Sequence, residues 1–267
     1  MRFTDKLSTG QRVYGTCVTA FNPLWPKVWE GVGLDFVFID TEHIALDRSQ
    51  VSQLCQVLRA SGVFPIVRIP QPDPFLACQM IDAGAGGIVA PYLESVDEIR
   101  DLVGATKYRP LKGARLARIL RGEESVAPSL LDYLNQYNRN QFCIANIESV
   151  PALERLEELL SVEGLDAVFI GPHDLSVSMD LPEQYDHPLF VKAVDAIVQA
   201  CKHRGLHVGV HFSESPERQI QWVKRGVDLI IHSSDFALFY QRLQADVQYL
   251  KQHSGDTATD GSGPSAI

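Results

Sequence analysis

The stretch FVFIDTEHIALD, residues 36–47, is the one from which the fold is inferred. Residues 36–39 are apolar or aromatic and predict a buried strand. Three groups that exchange protons or bind cations follow at once, namely Asp40, Glu42 and His43. A buried strand that ends in such groups is typical of a parallel sheet in which several strand ends meet at one site. The fold then depends on whether this pattern is repeated along the chain.

Eight short segments share this apolar, β-rich character. In chain order they are RVYGTCV, FVFID, FPIVRIP, GGIVAPYL, FCIANIE, AVFIGP, HVGVHF and VDLIIHS. Amphipathic helical patterns lie between them, and most of these patterns end in Gly, which is favoured just after a helix. Eight alternating strand and helix units predict one α/β domain, a closed (β/α)8 TIM barrel over residues 1–252. An open, doubly wound sheet is the alternative, although YGTCVTAFNP after the first strand is not the Gly-rich phosphate loop that such a sheet usually carries.

Two segments depart from this alternation. Residues 109–141 form a long insertion between the fourth and fifth strands, and its first part is rich in Arg and Lys. Such an insertion predicts either a lid or substrate wall, or a solvated basic loop followed by an extra helix at SLLDYLNQYN. Residues 253–267 are small and polar, so we expect a disordered tail there. The segment before that tail, FALFYQRLQADVQYLKQ, predicts an amphipathic terminal helix.

The composition limits the class of function. The 267 residues carry a formal net charge of −9, which argues against a nucleic-acid partner because phosphate binding needs a basic face. No apolar run is long enough to predict a signal peptide or a membrane span. The five cysteines are odd in number and lack C-x-x-C spacing, as expected of reduced thiols in a cytoplasmic protein. An acidic surface of this kind still allows a local basic pocket for a small anion.

Two acidic residues at adjacent strand ends predict a metal site. Glu148 ends the fifth predicted strand, and Asp174 follows the sixth. Neighbouring carboxylates repel each other unless a cation lies between them, and a hard divalent ion accepts carboxylate, water and substrate oxygens together. We therefore expect Mg²⁺ or Mn²⁺ at this pair. A solvated or salt-bridged role for each carboxylate is the alternative.

Further polar groups are predicted around this pair. Gly171 and Pro172 give a tight exit from the sixth strand, and the backbone N–H groups that follow could hold a small carboxylate, although a turn with a helix cap has the same sequence. His43 is a candidate base, and Arg68 can stabilise an oxyanion. Each could separately be a packing residue. Together these residues predict a site that binds a 2-oxo acid through a metal, stabilises its enolate and supplies a base.

Five motifs in a fixed order carry a resemblance to a known family. They are FVFIDTEH (36–43), PIVRIP (65–70), DPFLACQMIDAGAGGIVAPYLES (73–95), NIES (146–149) and DAVFIGPHDLS (166–176). Over nearly the whole folded chain, the sequence resembles the HpcH/HpaI family of class II 2-oxo-acid aldolases, within the phosphoenolpyruvate/pyruvate superfamily of (β/α)8 barrels. The resemblance implies a divalent-metal-dependent lyase that cleaves 4-hydroxy-2-oxo acids to pyruvate and an aldehyde through a metal-bound pyruvate enolate. It implies Mg²⁺ or Mn²⁺, with Co²⁺ as a further candidate, and no organic cofactor.

The resemblance also implies roles for individual residues. Glu148 and Asp174 would be the metal ligands. Arg68 would stabilise the enolate, and His43 would be the base. Asp82 would be the acid that pairs with that base, but only from a neighbouring subunit, because it lies near the end of the helix after the third strand; a local turn cap is the alternative. The substrate-binding residues would be Asp40, Arg68, Arg115, Gly171, Pro172, His173 and Asp174.

One part of the family pattern is altered. After Tyr108 the family usually has G-x-R-G-x-G, whereas this chain retains Gly113 and Arg115 but has Leu116 and Arg118 where glycines are expected. The aldehyde preference therefore stays open. Family members are typically hexamers, built as trimers of dimers that exchange the last helix, which implies a homo-oligomer here. Packing of that helix on its own barrel is the simpler alternative.

Two other functions stay open. A citrate-lyase-β or malyl-CoA-lyase-like enzyme shares the barrel and the carboxylates, but it needs a path for coenzyme A, which only the basic residues between Arg109 and Arg121 could provide. A binding or regulatory protein that holds a 2-oxo acid without turnover would fit the altered loop, but the retention of His43, Arg68, Glu148 and Asp174 argues against it. Binding of coenzyme A would indicate the first, and pyruvate binding without metal-dependent turnover would indicate the second.

Overall fold

Eight parallel strands form a closed barrel in a computed structural model, which describes residues 3–212 and 215–255. The strands are β1 Val13–Val18, β2 Phe36–Asp40, β3 Phe64–Arg68, β4 Gly87–Ala90, β5 Phe142–Ile147, β6 Ala167–Ile170, β7 His207–Phe212 and β8 Leu229–Ser234. Each strand pairs with the next one in the sequence, and β8 pairs with β1 to close the barrel. All eight predicted strands are present, so the prediction of a (β/α)8 barrel is confirmed.

Helices connect these strands. They are α1 Phe3–Ser8, α2 Trp25–Val32, α3 Arg48–Ala60, α4 Pro74–Ala83, α5 Val96–Lys107, α6 Gly113–Leu120, α7 Pro128–Asn138, α8 Val150–Glu154, α9 Leu156–Leu159, α10 Pro172–Ser178, α11 Pro188–His203, α12 Pro216–Arg225 and α13 Asp235–Ser254. Local sequence sets their ends: Asp47 and Ser95 form capping boxes at the starts of α3 and α5, and Gly84 ends α4 in the left-handed conformation. Within the described ranges, no helix has the length and apolar character needed to cross a membrane.

Apolar rings close one end of the barrel. Phe3, on α1, stacks on Phe64 with 4.3 Å between ring centroids, and it meets Phe36 and Phe142 edge to face. These residues belong to a core inside the barrel, and a second core lies between the strands and the surrounding helices. Since this closed end is where the strands begin, the polar strand ends lie at the opposite end, which forms the open mouth of the barrel.

The insertion at residues 109–141 contains two helices instead of a loop and one helix. α6 begins at Gly113, where a basic loop is predicted, and Leu116 and Leu120 lie on one face of it. Both pack against α5 at Gly104, whose lack of a side chain leaves room for them. The insertion runs from the end of α5 to the start of β5, so it lies at the closed end of its own barrel and not at the mouth.

Two further boundaries differ from prediction. α13 continues to Ser254, so residues 253 and 254 are helical and do not belong to a disordered tail. The rest of that predicted tail, residues 256–267, lies outside the described residues. The amphipathic helical pattern after the fifth strand, VPALERLEELLSVEG, is not one continuous helix, because it is divided into α8 and α9 at Arg155.

Candidate active site

The ends of β2 and β3 hold a buried ion pair at the mouth. The two strands pair in register, so Asp40 and Arg68 are neighbours. Arg68 Nε donates to Asp40 Oδ1 at 2.9 Å and Nη2 donates to Oδ2 at 2.6 Å, which makes the pair bidentate. Burial would raise the pKa of Asp40, but the hydrogen bonds and charge of Arg68 lower it below its ordinary value. Asp40 is therefore a carboxylate that fixes the guanidinium in place.

Glu42 connects this ion pair to His43. Its Oε2 lies 3.0 Å from Arg68 Nη1 and 3.8 Å from His43 Nε2. Its backbone N–H donates to Asp40 Oδ1 at 3.0 Å. Burial raises the pKa of Glu42 above its ordinary value despite the nearby cations. The His43 side chain is 51% exposed, so the imidazole is accessible at the mouth with a buried acid behind it, an arrangement suited to a base.

Glu148, just after β5, is buried with 3% of its surface exposed. Its Oε1 accepts a hydrogen bond from the Tyr92 backbone N–H at 2.8 Å, and its Oε2 accepts one from the Asn146 amide. Burial is the main reason that the pKa of Glu148 is raised to about 7, and the negative charges of Asp174 and Glu42 raise it further. A positive ion beside this carboxyl group would offset its burial and the repulsion between Glu148 and the carboxylates of Asp174 and Glu42.

Asp174 lies in the first turn of α10, close enough to Glu148 for its charge to act on that carboxyl group. A Cβ atom at Gly171 would lie 2.6 Å from Glu148 Oε2, so only Gly leaves room for the carboxylate. Two carboxylates that disfavour each other fit a hard divalent cation, with water or substrate oxygens as the other ligands. Among the residues that the structure describes, no group of three or more His, Cys, Asp or Glu side chains could hold a metal ion.

The start of α10 provides backbone donors beside these carboxylates. Because the helix begins at Pro172, the N–H groups of His173 and Asp174 lie in its first turn and have no carbonyl partner within the helix. The His173 side chain is exposed, with its Nδ1 3.8 Å from Glu183 Oε1. Any contact of His173 with a substrate carboxylate is therefore expected from its backbone.

Tyr92 also belongs to this site, although the sequence pattern does not single it out. Its backbone has a φ of 53°, which is uncommon for a residue with a side chain. The nearby charge of the Glu42 carboxylate is the main reason that the pKa of Tyr92 is raised to about 12. In the sequence, only the position of Tyr92 indicates that it belongs to the site. It comes two residues after β4, where side chains reach the mouth.

His211, in β7, is a neutral group below the mouth. Its ring lies 5.9 Å from that of Phe38, and its Nε2 lies 3.3 Å from the Ser233 carbonyl oxygen. Burial and the charge of Arg68 lower the pKa of His211 to about 4. The ring is therefore uncharged at neutral pH, and His43 is the histidine better placed to exchange protons with a ligand.

Two predicted site residues lie elsewhere in their own chain. Asp82, at the end of α4, has a side chain that is 69% exposed and forms an ion pair with Arg109. Arg115, on α6, lies 2.8 Å from Glu124. Because the end of α4 and the insertion are at the closed end, neither residue reaches the mouth of its own barrel. Either could contribute only to the site of a neighbouring subunit, as the sequence already implies for Asp82.

Comparison with known proteins agrees with this geometry. Residues 14–239 match the family model described as HpcH/HpaI aldolase/citrate lyase. The chain belongs to the HpcH/HpaI aldolase/citrate lyase family. This match covers the eight strands except Val13, the first residue of β1, and it includes every residue of the mouth discussed above.

Two relatives and one solved structure of the HpcH/HpaI family extend this result. The hydroxypyruvate/pyruvate aldolase of Roseovarius nubinhibens is 34% identical over 177 residues, which are 66% of this chain and 68% of the relative. The 2-keto-3-deoxy-L-rhamnonate aldolase of Escherichia coli O1:K1 is 26% identical over 97% of both chains. The crystal structure of an HpcH/HpaI aldolase from Desulfitobacterium hafniense is similar with a TM-score of 0.82 and 28% identity, covering 99% of this chain and 100% of the other. The predicted family and the predicted carbon–carbon lyase of the aldolase type are confirmed.

Proposed function

We propose that the protein is a divalent-metal-dependent aldolase that cleaves 4-hydroxy-2-oxo acids to pyruvate and an aldehyde. The observation that carries this proposal is the arrangement at the mouth. Glu148 lies within electrostatic reach of both Asp174 and Arg68, and His43 is exposed beside Glu42, which contacts Arg68. Such a site can hold a 2-oxo acid by its oxygens, stabilise negative charge and accept a proton. The relatives named as aldolases support the same reaction class.

In the cleavage direction, the proton of the C4 hydroxyl goes to His43 and the C4–O bond becomes the aldehyde carbonyl. The C3–C4 bond breaks, and its electron pair forms the enolate of pyruvate, which then takes up a proton at C3. Arg68 stabilises the enolate oxygen because Asp40 holds its guanidinium at the mouth. The backbone N–H groups of His173 and Asp174 bind the substrate carboxylate.

The metal site of this proposal consists of Glu148 and Asp174, with Mg²⁺, Mn²⁺ or Co²⁺ as the ion. When bound, such an ion supplies a Lewis acid that polarises the 2-oxo group. The chain itself contributes two carboxylates whose mutual repulsion favours a cation, and Gly171 keeps the space beside Glu148 open. No organic cofactor is needed for this chemistry.

A coenzyme A thioester is a less well supported substrate. Its phosphates would need unpaired basic side chains, and those of the insertion are largely paired with acids of the same chain. The pairs are Arg109 with Asp82, Arg115 and Arg118 with Glu124, and Arg121 with Glu123. Three carboxylates thus offset most of the charge of these four arginines, and the insertion lies at the closed end of its own barrel.

The first test is exchange of solvent deuterium into the methyl group of pyruvate, followed by proton NMR with Mg²⁺ or Mn²⁺ present and again after chelation. Exchange reports enolate formation and needs no aldehyde. We expect exchange that depends on the metal and that falls at least about a hundredfold in Glu148→Gln and in Arg68→Ala, because each removes a charge that acts on the enolate. Glu154→Gln, an exposed site on α8, is the matched control and should exchange like the wild type.

Other outcomes of this test have a clear meaning. Absence of exchange in wild-type protein that binds the metal would contradict the aldolase proposal and favour a coenzyme A thioester substrate or a binding protein without turnover. Full exchange after chelation would contradict the role of the metal. Loss of exchange in the Glu154→Gln control would mean that the exchange rate reports the stability of the fold and not the chemistry of the site.

The proposal includes a homo-oligomer, a hexamer built as a trimer of dimers, in a cytoplasmic protein. Asp82 would then act in the site of a neighbouring subunit, since it lies at the closed end of its own barrel. The exposed apolar side chains of α13 support an exchange of this helix between subunits. The natural aldehyde stays open, because the altered residues after Gly113 lie in the insertion.

A further inference from the structure

Tyr92 occupies a constrained position at the mouth of the barrel. β4 ends at Ala90, and Pro91 directs the chain into Tyr92, whose φ of 53° is unfavourable for any residue that carries a Cβ atom. The backbone N–H of Tyr92 donates to Glu148 Oε1 at 2.8 Å. The backbone is thus fixed against one of the two proposed metal-binding carboxylates, and its unusual conformation determines where the ring lies.

The ring of Tyr92 reaches across the mouth to the residues that follow β2. Its hydroxyl lies close enough to Glu42 for the charge of that carboxylate to act on it, and Glu42 is also the carboxylate beside His43. The hydroxyl of Tyr92 therefore lies on the same side of the mouth as the proposed base. The residue is 52% exposed, so a ligand can reach it.

We propose that Tyr92 is a catalytic residue for the acceptor half of the substrate, and that its hydroxyl donates a hydrogen bond to the oxygen on C4. This inference rests on the proposed aldolase function. Arg68 and the start of α10 account for the pyruvate half, so the C4 oxygen must lie next to the base. Glu42 lies beside that base and also close to the Tyr92 hydroxyl, which is therefore on the same side of the mouth.

The hydrogen bond has a defined task in the reaction. As His43 removes the C4 hydroxyl proton, negative charge develops on the C4 oxygen before the C3–C4 bond breaks, and a neutral phenol that donates to this oxygen favours that transition state. Tyr92 keeps its own proton throughout, since the phenol only donates a hydrogen bond to the substrate oxygen. In the reverse direction the same donor polarises the aldehyde carbonyl.

Tyr92→Phe tests this inference, because it removes the hydroxyl and retains the ring and the backbone contact to Glu148. Two rates are measured for each protein, namely methyl exchange of pyruvate and cleavage of the 4-hydroxy-2-oxo acid that the wild type cleaves fastest in a panel made from pyruvate and simple aldehydes. We expect kcat/KM for cleavage to fall about tenfold, and the ratio of cleavage to exchange to fall at least about fivefold, because only cleavage involves the C4 oxygen. Tyr133→Phe, an exposed tyrosine of α7, is the matched control.

The outcomes separate this inference from the function on which it rests. A wild-type protein that neither exchanges nor cleaves contradicts the proposed function itself. If the wild type does both and Tyr92→Phe lowers the two rates equally, Tyr92 acts only through Glu148, and the inference is wrong. It is also wrong if both rates equal those of the wild type, because Tyr92 is then a rim residue. A fall in the ratio for Tyr92→Phe but not for Tyr133→Phe supports it.

Discussion

The buried ring of His211 makes the stability of the barrel depend on pH. Its ring faces Arg68, Asp40 and His232, and burial together with the charge of Arg68 lowers its pKa from 6.5 to about 4. The unfolded chain therefore binds a proton at this residue more readily than the folded protein between these two pH values. The stability that the neutral ring contributes is complete above pH 6.5 and is lost as the pH falls toward 4, by up to about 3 kcal/mol.

Urea unfolding of the wild type and of His211→Gln at several pH values between 4 and 8 measures this contribution. We expect the free energy of unfolding to fall less steeply with decreasing pH in His211→Gln, since that side chain takes up no proton. His203→Gln, an exposed site at the end of α11, should retain the wild-type slope. Identical slopes in the wild type and His211→Gln would contradict the assignment of this pH dependence to His211.

Single residues also differ in how well the sequence predicts their place. His43, Arg68 and Glu148 are predictable, because each is a polar residue at the end of an apolar run and parallel strand ends converge. Tyr92 is not, because its contact with Glu42 depends on a backbone conformation that the sequence does not reveal. Residue type and spacing therefore predict which groups reach the mouth, but not the hydrogen bonds between them.

The close packing of β6 against β7 leads to a prediction about the free energy of unfolding. A Cβ atom at Gly209 would lie 1.8 Å from Phe169 Cε1 and 2.0 Å from Cδ1, inside the closed barrel. Gly209→Ala should therefore lower the free energy of unfolding by about 3 kcal/mol or more, as overpacking in a rigid core does. Phe169→Leu combined with Gly209→Ala should recover part of the loss, because the two sites are in contact.

Urea unfolding of these variants tests the packing, with Gly31→Ala as control. Gly31 lies in α2, and a Cβ atom there would have no neighbour within 4 Å, so this change should be neutral or raise stability by up to about 1 kcal/mol. A loss in Gly209→Ala no larger than that in Gly31→Ala would mean that the barrel expands freely at this point. Failure of Phe169→Leu to recover any stability would mean that the ring is not the source of the strain.

A strand or helix can be predicted from the sequence where one physical pattern, such as an apolar run, dominates. The strands are apolar and separated by helical patterns, so all eight are predicted. α6 is not, because the family loop motif predicts irregular backbone there, whereas Leu116 and Leu120 have helical spacing and an apolar partner surface on α5. Tertiary packing on α5 therefore decides the conformation of the insertion, and neither the motif nor the basic charge reveals it.

The exposed side chains of α13 bear on whether the protein assembles into an oligomer. None of its 20 residues is buried in the single chain. Several large apolar side chains of this helix are exposed, namely Phe236, Leu238, Phe239, Leu243, Val247, Tyr249 and Leu250. Five of them, Phe236, Phe239, Leu243, Val247 and Leu250, share one face by helical spacing, and an exposed apolar face is typical of a protein–protein contact. A single sequence predicts the amphipathic helix but not its partner, since packing within one chain and exchange between chains bury the same side chains.

Light scattering after size-exclusion chromatography tests the assembly. We expect the wild type to elute at about six times the chain mass of 29.7 kDa, because burial of the α13 face favours association. The double variant Phe239→Glu with Leu243→Glu should elute at a smaller mass, since it adds two unpaired charges to neighbouring positions of that face. Gln248→Glu adds a charge to the same helix without removing an apolar side chain and should leave the mass unchanged. A wild type that elutes as a single chain would contradict the exchange of α13, and Asp82 would then have no route to any mouth, because its own lies at the opposite end of the barrel.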